Sequence, residues 1–232
     1  AYDDPPGIGE VIRIRMSLRA KNANWPAEFQ QFKLQFAERL TTCTAVAVWT
    51  DVGSAASGEI WRGYTSGGTV DGTDLSTDPP TPGDLLISVS DVAGTLVHES
   101  LSATNTYIAY EGEDVEYDWY IQHNGATANT PYCFRAVESD GSALSGYLQY
   151  PQITTADFTP RITNWRWYND PENETPSSPL AALNSAPTEV AASSTLALRV
   201  VVDEQKSVTG EDVKFKLQFS EDVTFANPID VE

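Results

Sequence analysis

The chain has 232 residues, 33 of them acidic against 14 basic, for a formal net charge of -19. A field of that sign repels phosphate backbones and anionic lipid, which argues against nucleic-acid and membrane-surface roles. No apolar run approaches the roughly 18 residues that a membrane helix needs, and the opening Ala1-Tyr2, without a charged-then-apolar leader, predicts a processed chain or a fragment.

In VIRIRMSLR (11–19), Ile12, Ile14, Met16 and Leu18 alternate with Arg13, Arg15, Ser17 and Arg19. That period of two predicts an antiparallel strand with one buried face and one wet face. FKLQF (32–36) alternates in the same way, with Phe32, Leu34 and Phe36 on one side. Further strands are expected at AVAVWT (45–50), DLLISVS (84–90), TYIAY (106–110), VEYDWYIQH (115–123), YCFRAVE (132–138) and YLQYPQITT (147–155). RITNWRWY (161–168), LALRVVVD (196–203) and VKFKLQFS (213–220) complete the series. Turn residues separate them: NG at 124–125, DG at 140–141, TG at 209–210 and TDPPTPGD at 77–84. Short helical turns are expected around 91–101 and 178–183, and no long amphipathic helix is present. Many short strands at this spacing predict an all-β chain folded as a β-sandwich.

Cys43 and Cys133 are the only cysteines, and neither they nor His98 and His123 carry metal-ligand spacing. Both flank strand-like runs, so a disulfide is expected, with a free buried thiol pair as the alternative. Closing a loop of about 90 residues would stabilise the fold by roughly 4–5 kcal/mol in the chain-entropy account. A disulfide implies an oxidising location, outside the cell or in a periplasm.

The two ends of the chain match. IRIRMSLRA (12–20) has the apolar phase of LALRVVVDE (196–204), placing Arg15 on Arg199. After a loop that is one residue shorter in the second copy, FKLQFAE (32–38) falls on FKLQFSE (215–221). This is an internal repeat of about 180 residues, so the chain divides at 1–157 and 158–232. The second copy has RITNWRWY ahead of its first matched strand; the first copy has only AYDDPPGIGE there. The N-terminal unit is thus expected to lack a first strand, and the C-terminal one to hold only the start of a sandwich. Two or three strands alone are marginal in water, and an open edge invites pairing. Three arrangements are compatible with this: a window of a longer tandem array, strand donation to the next copy, or a tail folded onto its own N-terminal unit. The expected assembly residues are Ile162, Trp165, Trp167, Leu196, Leu198, Val200, Val202, Phe215, Leu217 and Phe219.

The stretch GATANTPYCFRAVESDGSALSGYLQYPQITTA (125–156) resembles the last two strands of an immunoglobulin-like or fibronectin type III module. The resemblance rests on Thr130-Pro131-Tyr132, Phe134-Arg135-Ala136-Val137, Asp140-Gly141 and Thr154-Thr155, about thirty residues in all. The wider pattern is similar to tandem-repeat surface proteins of bacteria. The resemblance implies an immunoglobulin-like β-sandwich followed by a second, partial sandwich unit, and an extracellular structural role without an active site.

No nucleophile elbow, phosphate-binding loop, HExxH or EF-hand loop occurs, so no enzymatic activity and no cofactor is expected. Acidic clusters supply hard oxygen donors for Ca²⁺, with Glu111, Glu113, Asp114, Asp170 and Glu172 as the candidate ligands. Trp25, Trp49, Trp61, Trp119, Trp165 and Trp167 are read as core and interface residues, with a glycan-stacking platform as the competing use. The expected function is an extracellular or cell-surface structural protein whose partners are copies of itself, joined head to tail by strand complementation. The alternative is an adhesin or carbohydrate-binding module.

Overall fold

The computed structural model describes residues 4–65, 67–68, 70–75, 92–99, 102–169, 172, 174–208, 213–222 and 224–231. The described residues are nearly all β. The strands are β1 (Val11–Arg19), β2 (Gln31–Glu38), β3 (Thr50–Asp51), β4 (Trp61–Gly63), β5 (Thr73–Asp74), β6 (Val92–Val97) and β7 (Ala103–Thr104). They continue with β8 (Asp114–His123), β9 (Pro131–Glu138), β10 (Gln152–Thr154), β11 (Pro160–Tyr168), β12 (Ala197–Glu204), β13 (Gln218–Phe219) and β14 (Ile229–Asp230).

Two five-stranded sheets face each other as a sandwich. One runs β1-β8-β6-β5, with β4 also on β8; the other runs β10-β9-β2-β3, with β7 also on β2. The alternation read from the sequence fixes the core. Ile12 and Ile14 lie opposite Ile121 and Trp119, while Leu34 and Phe36 lie opposite Ala136 and Phe134. All of these side chains are buried. Trp61 closes one end, edge-on to Tyr132 and Phe134 with centroids 5.6 and 5.4 Å away.

The outer face of β1 is wet at Arg13 and Arg19, as alternation predicts, and half-covered at Arg15 and Ser17. Arg15 and Arg19 stand opposite Asp118 and Asp114, and Arg19 grips both oxygens of Asp114 at 2.9 and 2.6 Å. Arg15 reaches Asp118 at 3.0 Å, and Arg13 bonds the same carboxylate. Glu116 and Asp118 are fully buried, so β8 is covered on both faces and its acids are neutralised by cross-strand arginines.

Several expected elements differ. Around 91–101, where helical turns were expected, β6 instead pairs parallel with β8. A Cβ on Gly94 would collide with the Glu116 carbonyl and the Tyr117 ring, so this close approach requires glycine. Residues 178–183 are not helical either; they run along β11, bridging Tyr168 to Pro179. AVAVWT is a strand only at Thr50–Asp51. It begins at a 3₁₀ turn, Cys43–Ala45, and crosses the outside of the second sheet between the Cys133 bridge and Arg135. In TYIAY only Ala109 pairs, with Trp25, because the buried Asn105 amide binds the Pro26 and Tyr107 carbonyls and shapes a loop. YLQYPQITT pairs only from Gln152, after Pro151. DLLISVS (84–90) lies outside the described residues.

Beyond Ala156 the chain forms two ribbons, β11 with β12 and β13 with β14. Lys206 joins the first ribbon to the sandwich: its carbonyl accepts the Ile8 N–H at 3.1 Å, and its ammonium meets Asp4 at 2.8 Å and Glu10 at 3.8 Å. Gly7 passes so close to the Lys206 carbonyl that a Cβ would not fit.

Candidate functional site

The two occurrences of the phrase FKLQF occupy opposite environments. In the first copy Phe32, Leu34 and Phe36 are 0%, 0% and 5% exposed; their counterparts Phe215, Leu217 and Phe219 are 64%, 48% and 49% exposed. Ile162, Val200 and Val202 are exposed as well, while Trp165, Trp167, Leu196 and Leu198 are half-covered. Register brings most of the expected assembly residues onto one ribbon face: Trp167 opposite Leu198, Trp165 opposite Val200 and Ile162 opposite Val202. The β-bulge at Thr163 keeps Ile162 on that face. Leu196 lies just before β12, whereas Phe215 and Leu217 precede the two-residue strand β13. The expected strand over 213–220 therefore shrinks to Gln218–Phe219, because no counterpart of β9 lies beside it among the described residues.

The sandwich carries a groove along one side. β1 and β10 are the edge strands of their sheets, and no strand pairs with their outer edges among the described residues. Between them runs a groove of about 220 Å³ lined by Ile12, Ile14, Phe134, Pro151 and Ile153, with Arg13 and Arg15 on its rim. The core residues on its floor, Ile12, Ile14 and Phe134, are themselves buried.

A second surface lies on the outside of the other sheet. The Arg135 guanidinium sits 4.4 Å from the Trp49 ring and 5.9 Å from Tyr147. Trp49 stacks on Tyr150 at 5.8 Å, and Tyr147 stacks on Tyr150 at 5.2 Å. Gln35 holds Arg135 from below through two hydrogen bonds, at 3.0 and 2.7 Å. Gln35 also donates to Asp51, which takes a 2.7 Å bond from Lys33. Burial alone would raise the Asp51 carboxyl, but the bonds from Lys33 and Gln35 and the lysine charge hold it below its ordinary value. Val48 and Leu148 project into water beside these half-exposed rings. Of this platform the sequence singled out only Trp49; a signal for the rest was the tyrosine pair in GYLQYP (146–151).

The Cys43–Cys133 bridge is formed, with a Cα–Cα distance of 5.7 Å. Trp61 and Trp119 are core residues, and Trp25 packs against the core at Phe32. The acidic residues do not converge. Asp114 is engaged by Arg19, Glu113 caps the Tyr110 N–H, and Glu111 is exposed. Glu172 is exposed and Asp170 lies outside the described residues. Among the described residues no three His, Cys, Asp or Glu side chains form a metal-binding group, and no helix is long and apolar enough to cross a membrane. His98 bonds the Tyr64 carbonyl, and His123 bonds the Ala126 carbonyl and packs on Trp61.

Compared with protein families, with curated proteins and with solved structures, the chain matches none.

Proposed function

We propose that this chain is an extracellular structural module, built of immunoglobulin-like units, that assembles head to tail by sheet completion into a filament or surface array. One observation carries the reading: the same phrase is core in one copy and solvent-exposed in the other. An apolar side chain such as Phe or Leu gains about 1.5–3 kcal/mol on leaving water. Two ribbons that leave Val200 and Val202 on one, and Phe215, Leu217 and Phe219 on or beside the other, in water therefore have a strong drive toward a partner surface. The disulfide favours an oxidising location. A head-to-tail contact whose rotation does not close a ring propagates as a line.

Deleting 158–232 tests this. The remaining sandwich, with its core and bridge intact, is expected to stay folded and monomeric by sedimentation, while the full chain forms fibres or arrays in electron micrographs. Fibres from the truncated chain would refute the proposal.

The Trp49, Tyr147, Tyr150 and Arg135 platform favours a second reading, a glycan-binding or adhesive module. Stacked rings beside a guanidinium suit the apolar face and hydroxyls of a sugar. A glycan array with the parent chain and Trp49→Ala separates this reading from the first.

A further inference from the structure

Resting on the glycan-binding reading of the Trp49 platform, we propose that its ligand is an acidic sugar. A hexuronate ring lies on Trp49 and the two tyrosines, and its carboxylate binds the outer edge of Arg135.

Arg135 is held as a receptor for a planar anion. Gln35 Oε1 accepts from its Nε at 3.0 Å and from its Nη2 at 2.7 Å, which uses one edge of the guanidinium and fixes its plane. Gln35 is itself buried. The other edge carries the Nη1 hydrogens and the second Nη2 hydrogen, a parallel pair of donors that matches the two oxygens of a carboxylate. Among the described residues no hydrogen bond or carboxylate engages that edge; its neighbours are the Trp49 and Tyr147 rings. Asp51, the acid that shares Gln35 with it, is already taken. Its Oδ1 accepts from Gln35 and its Oδ2 from Lys33, each at 2.7 Å. The Gln35 amide therefore turns its nitrogen to the acid and its oxygen to Arg135.

The rings supply the second half of the site. Trp49 and Tyr150 lie 18° from parallel, and Tyr147 and Tyr150 lie 27° from parallel. All three residues are half-exposed. Tyr147 is fixed by its hydroxyl, which accepts the Leu144 N–H at 3.1 Å and donates to the Ala136 carbonyl at 2.7 Å. A pyranose with equatorial hydroxyls presents C–H groups on its faces, which suit such a preorganised aromatic surface. The charge of the whole chain narrows the class further. At -19 it repels a polyanion at long range, so the favoured glycan carries one carboxylate and not a run of them.

NMR titration of the full chain with methyl β-glucuronide and methyl β-glucoside tests this, because the two differ only in a carboxylate against a hydroxymethyl group. The glucuronide is expected to bind about tenfold more tightly. Arg135→Gln should bring that ratio close to one. Leu148→Glu, at an exposed position beside the rings, should lower the ratio without disturbing the core, and it serves where Arg135→Gln does not fold. A polyglucuronate, compared per sugar residue at about 0.01 M salt, should bind more weakly than the glycoside. Equal binding of the two glycosides by the parent chain, a ratio that survives either substitution, or tighter binding of the polymer would each overturn the single-carboxylate sugar. So would N-acetylglutamate bound as tightly as the glucuronide, which would mark a site for acidic peptide. With glycosides still bound, these outcomes leave the glycan reading standing; a parent chain that binds neither glycoside nor any member of a glycan array overturns both.

Discussion

Phe36 and Phe219 each end the phrase FKLQF, which the sequence writes twice, and they should answer the same substitution differently. Phe36→Ala opens a cavity between the two sheets and is expected to cost about 3–5 kcal/mol. Phe219→Ala in dilute, unassembled chain should fall within about 0.5 kcal/mol of the parent, as surface changes do. Urea unfolding of both variants checks this; equal losses would mean that Phe219 is buried in solution. Glu138 offers a pH test. Burial, and then the charge of Asp140, push its carboxyl up. Because the folded form holds the proton more tightly, the stability linked to this group is full at acid pH and falls as pH rises through the raised pKa. Glu138→Gln should therefore raise the melting temperature near pH 7 and leave it unchanged near pH 3, where the parent side chain is already neutral.

Among the elements, the charged faces of β1 and β8 form a unit that can be broken from either side. Arg15→Ala leaves the buried Asp118 and Glu116 short of a counter-charge, and such losses cost about 3–5 kcal/mol. Chemical denaturation measures it, and a cost below about 1 kcal/mol would show that water reaches the ladder. This ladder marks where sequence reading stopped. The period-two patterns of β1, β2, β8, β9, β11 and β12 were legible because each has one continuous apolar side. Arg13, Arg15 and Arg19 were equally visible, as were Asp114, Glu116 and Asp118, but nothing local says that two strands about 100 residues apart in sequence will lie in register. β6 was missed because it is parallel to β8 and holds Gly94 at a close approach, so it lacks alternation. The disulfide was foreseen from the strand-like runs that flank Cys43 and Cys133. The aromatic platform was not, because it gathers Trp49, Arg135, Tyr147 and Tyr150 from three separate segments, and the tyrosines lie in a stretch that alternation had assigned to a strand.

At the scale of the whole molecule, charge opposes the association that the exposed apolar ribbon favours. Two copies each carrying -19 repel at long range. The range of that repulsion shrinks from about 30 Å at 0.01 M salt to about 8 Å at 0.15 M. Light scattering should accordingly show faster assembly as sodium chloride rises across that interval. Slower assembly would point instead to contacts dominated by opposite charges.

The covalent tie between Cys43 and Cys133 has a mechanical consequence for any thread built from such units. A load applied through the two termini cannot straighten the residues between positions separated by 90. Chemical reduction would release that hidden length, about 30 nm at 3.3–3.6 Å per residue, as one added step in a single-molecule pulling trace. An intact tie makes each unit yield early and then stop, so a strained fibre would stretch a little and hold.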